Sequence, residues 1–459
     1  MSLLKVLLVT YAFPPAGGVG VLRAASLARY LPAEGIQLDV LTTRNPSSVG
    51  TDSSLLREIP PEVDIHRTMT LDLPFGVKKR LKMLITGKRA PSMHAGAASS
   101  ARKPNLLKRV MQDLLLPDPQ VTWLPVLRRA ACRIVRQRNI DLVLITGAPF
   151  SDYLLAERLR KKFPYLAIVL DFRDEWLSTS FDAASFQFSR SDRARNFAIK
   201  AEAAAVRSAT AVVAVTEAAR REIRGRYPHE PERKFQLLPN GFDATRLVSS
   251  GSSTNKPHHA KLVVTYVGTI YSSTEPTVLV EALQSLPSEL KSRFTLRFIG
   301  HIEEPRYREA LLQLGEMVEL MGYLPQPEAL AAMNETDYVL LITHDRLNIS
   351  AKFYDYVGAG KPILACIHAG GDVRRLLEEL RAGWWADSHD VEGIRRLFIE
   401  AAARGDSWHN EFHPDAEKIA QYERRILANR YAGLLQSFFR WQCEANSQSP
   451  AAQSAGTGE

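Results

Sequence analysis

Cysteine is scarce in this chain: Cys132, Cys366 and Cys443 are the only three among 459 residues, odd in number and far apart. That excludes a disulfide framework or a cysteine metal cluster and points to a reducing cytoplasm. Long apolar runs are missing too. None reaches the roughly 18–20 residues that a membrane-spanning helix needs. Met1–Thr10 is short, contains Lys5 and has no small-residue cleavage site, so it reads as a first strand and not as a secretion signal. No internal repeat of solenoid period is present. One further absence is local. Between Lys78 and Arg109 there is no Asp or Glu, while Lys and Arg occur ten times. Such a stretch attracts anions, whether lipid headgroups or nucleic acid.

What is present is ordinary for a globular protein: 45% apolar and 24% charged residues, with a formal net charge of +9. The length is too great for one core and suggests two domains. In the first half, apolar runs alternate with helix-period segments: KVLLVT, IQLDVLTT, DLVLITG, LAIVLDFRD, ATAVVAVT and FQLLPNG. Continuous Val, Ile and Leu runs suit strands covered on both faces, and strand–helix alternation implies a parallel sheet. The polar stretch VSSGSSTNKPHHAK (Val248–Lys261) reads as a linker, and a second series follows: LVVTYVGT, FTLRFIGH, VELMGYL, DYVLLIT and KPILAC. Two successive α/β halves are the expected architecture. Glu417–Trp441 reads as one long amphipathic helix, with a disordered tail after it.

In open parallel sheets, ligands bind beyond the carboxyl ends of the strands. The corner PPAGGVG after the first strand occupies that place, and its glycines let backbone N–H groups approach a phosphate or sugar. The alternative is a merely tight turn. A dinucleotide fingerprint fits badly, because Gly18-Val-Gly20 is followed by Arg23 where a third glycine belongs, and the only acid available, Asp39, sits within its strand. VLDFRDEW ends a strand with Asp171, Arg173, Asp174 and Glu175. Such clustering implies pairing or a ligand, and an Asp171–Arg173 or Arg173–Asp174 ion pair is the structural alternative. TGAPFSDY ends the preceding strand, with Pro149 and Ser151 offering shape and a hydroxyl. TYVGTIYSSTEP, FIGHIEEP and MGYLPQPE each end a later strand with glycine followed by polar or aromatic residues; each alone reads as a loop, and together they suggest a ligand cleft. SAKFYDYVGAGKPILA carries the strongest signal. A helix starting near Ser350 puts Lys352 in its first turn, a poor place for a cation unless it serves an anion. Lys352 and Asp355 are three residues apart, a cation for a diphosphate beside a carboxylate for ribose hydroxyls. An exposed ion pair between them is the bland alternative.

In this order, VTYAFPPAGGVGVLR, DFRDEW, LLPNGFD, YVGTIY and KFYDYVGAGKPILA resemble bacterial glycosyltransferases of the GT-B fold, in the retaining family-4 group, over nearly the whole chain. The resemblance implies an α/β protein of two facing Rossmann-like domains with a cleft between them. Residues 1–247 would form the N-terminal acceptor-binding domain, 248–260 the linker and 261–412 the nucleotide-sugar-binding domain. Residues 413–444 would cross back to the first domain, and 445–459 would be the disordered tail. By position, Gly17, Gly18 and Gly20 would lie against the donor phosphate and sugar, with Gly268 and Thr269 near the diphosphate. Tyr323 and Leu324 would border the base. Lys352 would neutralise the leaving diphosphate, the main catalytic lever, and Asp355 would bond the ribose. Asp171, Arg173 and Asp174 are candidates for orienting acceptor or sugar. No metal or cofactor is implied beyond the donor substrate.

The sequence departs from many relatives. They carry two glutamates eight positions apart, where Leu347 and Asp355 stand here, and they often place a histidine in the N-terminal site. They also often have an Arg/Lys pair after the first glycine of the second domain, where this chain has GTIYSSTEP. It is similar to a subgroup with DxRD and KxxDY signatures. The expected reaction is transfer of a sugar to a glycan or lipid-linked acceptor in bacterial cell-surface polysaccharide synthesis. The expected place is the cytoplasm, peripherally at the inner face of the membrane, where Lys78, Lys79, Arg80 and Lys82 would touch anionic lipid. No nucleic acid is expected as partner. A GT-B epimerase or phosphorylase and a non-catalytic membrane or nucleic-acid adaptor are the rival readings.

Overall fold

The computed structural model describes residues 3–46, 51–70, 115–181, 192–248 and 261–447. The basic stretch with Lys78, Lys79, Arg80 and Lys82 lies outside the described residues, as do 249–260 of the expected linker and the final twelve residues. The described chain divides into two compact units. One comprises the residues up to Pro239 together with those from Leu427 onward, and the other is Asn240–Ile426.

The first unit is built on seven parallel strands: β1 (Leu4–Val9), β2 (Ile36–Thr43), β3 (Asp64–Thr68), β4 (Leu142–Gly147), β5 (Ala167–Phe172), β6 (Ala211–Ala214) and β7 (Phe235–Leu237). Their order is β3-β2-β1-β4-β5-β6-β7, so the direction of growth reverses between β1 and β4. Val6 pairs with Leu38 on one side and Leu142 on the other. Successive residues of β1 serve opposite faces. Leu7 and Val9 pack with Leu127, Val135, Leu155 and Leu159 from the helices Leu124–Arg138 and Leu155–Lys162. Val6 and Leu8 pack with Leu27 and with Leu427, Tyr431, Leu435 and Phe438 of the last helix, Arg424–Ser447. Both faces are covered, which is why these strands read as unbroken apolar runs.

The second unit repeats the plan with six parallel strands: β8 (Leu262–Val267), β9 (Phe294–Ile299), β10 (Val318–Gly322), β11 (Tyr338–Thr343), β12 (Ile363–Ile367) and β13 (Gly383–Asp387). The order is β10-β9-β8-β11-β12-β13, and the reversal falls between β8 and β11.

Two strands escape sequence reading, β3 (DIHRT) and β13 (GWWAD). Both are five-residue sheet edges with at most one buried side chain, so neither carries a long apolar run. The expected helix over Glu417–Trp441 is interrupted. Ala416–Ala420 forms one turn, and a second helix starts at Arg424. Between them the backbone bonds to Phe242, whose N–H donates to Tyr422 O at 3.1 Å while its carbonyl accepts from Arg424 N at 2.9 Å. Those bonds take backbone groups that a continuous helix would have used for itself.

Candidate functional site

Each unit has its own strand-tip corner at the point where strand order reverses, the position at which ligands bind in such sheets. In the first unit the chain leaves β1 through Tyr11–Gly18. The corner is held from outside: Asp52 N donates to Pro15 O at 2.7 Å, Ala16 bridges Thr51, and Arg67 donates to Pro14 O. Gly18 is the N-cap of the helix Val19–Tyr30, and Gly17 is half-buried while Gly18 and Gly20 are exposed.

The DFRDEW cluster is brought to this corner, and its charges are mostly consumed by the fold. Asp171 is fully buried at the end of β5. It accepts from Arg23 Nε at 2.9 Å and Nη2 at 2.8 Å, from Thr146 Oγ1 at 2.8 Å and from Tyr431 Oη at 3.3 Å. Arg23 also donates to the carbonyls of Leu238 and Pro239, both at 3.1 Å. The ion-pair partner of Asp171 is therefore Arg23, the residue that spoils the dinucleotide fingerprint. Arg173 donates to the carbonyls of Gly147 (2.9 Å), Gly20 and Ala148, tying the glycine corner to the loop after β4. Glu175 is buried and pairs with Arg226, which also holds Glu202 at 2.9 Å. Burial pushes the Glu202 carboxyl up to about 7, against the pull of Arg226. Asp174 is half-buried in the same turn.

Sequence reasoning missed two acids here. Asp118 and Asp152 are buried beside the corner, and Asp118 Oδ1, Asp152 Oδ2 and Ser151 Oγ have no hydrogen-bond partner among the described residues. Loss of hydration raises Asp118 to about 6 and Asp152 well above its ordinary value, the latter also through the Asp118 charge. Ser151 N donates to Asp118 Oδ2 at 2.9 Å. Nothing in the local sequence marks Asp118 as buried.

The second corner is assembled from glycines. Gly268, Gly300 and Gly322 end β8, β9 and β10. Gly300 N donates to Gly322 O at 2.7 Å, and a Cβ on Gly300 would lie 2.2 Å from Gly268 O. Gly268, at φ +136°, leaves room that a Cβ would fill at 2.9 Å from Lys352 Nζ. Lys352 stands in the first turn of the helix Ala351–Gly358 and donates to Tyr266 Oη at 2.5 Å, its ammonium 4.1 Å from the Tyr266 ring centre. Tyr266 passes the bond on to Thr269 O at 2.8 Å. Desolvation pushes the Lys352 ammonium down to about 7. On the loop that leads into this helix, Asn348 Oδ1 and Ser350 Oγ are buried without a hydrogen-bond partner among the described residues.

Lys352 and Asp355 form no ion pair with each other. Asp355 is half-buried near Arg424, Arg246 and Asp243; burial raises its pKa, the two arginines oppose the rise and Asp243 adds to it. Tyr323 is 66% exposed and stacks on His301 at 5.2 Å, and Leu324 beside it is half-buried. Leu347 is buried, and the neighbouring Asp345 spends its carboxylate on Leu347 N, Asn348 N and Asn348 Nδ2 at 2.8–3.0 Å. Among the described residues, no group of three or more His, Cys, Asp or Glu side chains is arranged to hold a metal ion.

Against known proteins, residues 83–246 match the family model of Glycosyltransferase Family 4. Sucrose-phosphate synthase from Thermosynechococcus elongatus is similar over 99% of this chain and 100% of its own, at 14% identity and TM-score 0.55. The two-sheet plan is the same. The fold is GT-B. WaaG, a glycosyltransferase involved in lipopolysaccharide biosynthesis, is similar over 96% of this chain and 98% of its own, at 16% identity and TM-score 0.54. Anabaena HepE in complex with UDP and glucose covers 97% of this GT-B chain and 100% of its own, at 13% identity and TM-score 0.54. No curated protein matches by sequence. Fold and family match together support a glycosyltransferase. Among the described residues, no helix is long and apolar enough to cross a membrane.

Proposed function

We propose that the protein moves a glycosyl group from a nucleotide-sugar to a glycan or lipid-linked acceptor in cell-surface polysaccharide synthesis, with retention. The observation that carries this reading is the Lys352 ammonium, largely stripped of water, lying against Gly268 at the strand-tip corner of the second unit. A cation kept there at a cost in hydration is ready for an anion. The buried, unpartnered Asn348 Oδ1 and Ser350 Oγ beside it are further groups that a ligand would satisfy.

In this reading the donor diphosphate rests on Gly268, Thr269 and Lys352. The bond between the anomeric carbon and the phosphate oxygen breaks with its electron pair leaving on the diphosphate, and Lys352 meets the charge that develops. The acceptor oxygen bonds to the anomeric carbon and its proton passes to the departing phosphate or to water. Asp355 accepts from the ribose hydroxyls, and the exposed Tyr323 ring borders the base. Lys352 serves in place of a metal, and Asp171, Arg173 and Asp174 shape the acceptor side by positioning. HepE, solved with UDP and glucose, makes uridine donors the first to test. WaaG, named for lipopolysaccharide synthesis, favours a cell-surface acceptor. Such acceptors place the enzyme in the cytoplasm, at the inner face of the membrane.

A panel of nucleotide-sugars read by thermal shift tests the reading. At least one should raise Tm, and EDTA should leave that shift and turnover unchanged. No shift with any donor would overturn it.

A further inference from the structure

The outer face of the helix pair Leu124–Arg138 and Leu155–Lys162 carries a groove of about 630 Å3 that the proposed chemistry does not use. It is lined by six cations, Arg128, Arg129, Arg133, Arg136, Arg158 and Lys162, and by no acid. All six are exposed, and none forms an ion pair among the described residues. The inner faces of the same helices pack into the core, so the groove lies on the solvent side of that helix layer.

Several arginines on other helices have an acid partner on the same helix. Arg220 and Arg221 pair with Glu217, Arg374 with Glu378, Arg375 with Glu379, Arg395 with Glu392 and Arg404 with Glu400, each within one helical turn. The helix Leu124–Arg138 has no Asp or Glu at all. Arg129, Arg133 and Arg136 instead follow one another at i, i+4 and i+7 on one stripe, where like charges destabilise a helix. The facing helix does contain an acid, Glu157, but it pairs with Lys161 at 2.6 Å and does not line the groove. Arg136 and Lys162 both reach over the Phe163 ring, at 5.6 and 5.9 Å, which steadies two of the cations from below. A solvated basic face would need neither the repeated spacing nor two walls of one sign.

We propose that this groove is a binding site for a ligand bearing two or more phosphates, separate from the donor corner. Five of the six cations are arginines, whose planar donor forks fit phosphate oxygens in pairs. Six positive charges are balanced by about three to four phosphates at up to two charges each. The phosphates can be carried by a soluble molecule or by a lipid headgroup.

The test uses the full chain, with inorganic tripolyphosphate in one arm and phosphatidylcholine vesicles with or without cardiolipin in the other. Wild type is compared with the triple variant Arg129→Glu, Arg133→Glu, Arg136→Glu, and with Arg158→Glu, Lys162→Glu on the opposite wall. Other basic segments are common to all three proteins, so the difference between them reports the groove. Binding should weaken about tenfold or more in each variant at low salt, and wild-type binding should fall as salt rises. Loss in the tripolyphosphate arm identifies a soluble ligand, and loss in the cardiolipin arm alone identifies a headgroup. If the triple variant does not fold, the two-residue variant decides. Nucleotide-induced Tm shifts should be the same in wild type and variants, which separates this site from the donor corner. Equal binding in wild type and variants, or no binding of either probe, would overturn the proposal.

Discussion

The two strand-tip corners occupy equivalent topological positions and are finished in opposite ways. In the first unit each cation is spent internally: Arg23 on Asp171 and two carbonyls, Arg173 on three carbonyls. What stays unsatisfied there is two acids and a hydroxyl, Asp118, Asp152 and Ser151. In the second unit the acid nearest in sequence, Asp355, has other neighbours, and Lys352 is left with a phenol oxygen and a ring face. A shared sheet plan therefore says where a site can be, while the balance of charge decides what each site can hold. One corner is a structural knot; the other has an unmet demand for negative charge.

The contrast can be broken most forcefully at Asp171. Replacing it by Ala leaves Arg23 buried without its carboxylate and should cost about 3–5 kcal/mol of stability, measured by denaturant unfolding. A loss below about 1 kcal/mol would show that the knot is loose. Lys352→Ala should do the reverse, removing a desolvated cation with little harm to stability while raising the barrier by about 2.7–4 kcal/mol, a fall of roughly 10²–10³ in kcat. Wild-type turnover in that variant would dissociate the second corner from the chemistry.

The pH dependence is the most diagnostic comparison, because the two corners titrate with opposite signs. The native Lys352 pKa of about 7 lies below the ordinary 10.5, so the native state holds fewer protons than the unfolded chain across that window. Its contribution makes stability rise with pH between about 7 and 10.5, and Lys352→Met should flatten that rise. The native Asp118 pKa of about 6 lies above the ordinary 3.8, so the native state holds more protons there. Stability from this group is complete below 3.8 and is lost as pH rises through 6, a slope that Asp118→Asn should remove. Denaturant midpoints across pH 4–10 for the three proteins would read both slopes.

Much of this was legible in the chain. Apolar runs found eleven strands, most of them continuous because both sheet faces are covered, and the two missed strands are edges with few buried residues, as are β7 and β10, which were found. Lys352 was legible because a cation in a helix's first turn contradicts the helix dipole. The partners were not. Asp171 and Arg23 are 148 residues apart, and Glu175 and Arg226 are 51 apart, so DFRDEW looked like a ligand-seeking cluster when much of its charge is neutralised from a distance. Arg23 did leave a trace, as the residue standing where a dinucleotide loop requires glycine. The basic groove left one as well, fifteen residues of helix without an acid, but only the fold brings Arg158 and Lys162 to its other wall.

The last helix has a consequence for how the molecule comes into being. Tyr431 bonds Asp171 at the end of β5, Gln442 accepts from Arg160 at 2.9 Å, and Leu427, Leu435 and Phe438 cover the face that Val6 and Leu8 present. A strand made early is thus sealed by a segment made only after the second unit, Asn240–Ile426. During synthesis that face waits, partly covered by Leu27 and its neighbours on the helix Val19–Tyr30, while the second unit is made, and a chain cut short before residue 427 would leave open the apolar surface that Leu427, Leu435 and Phe438 cover.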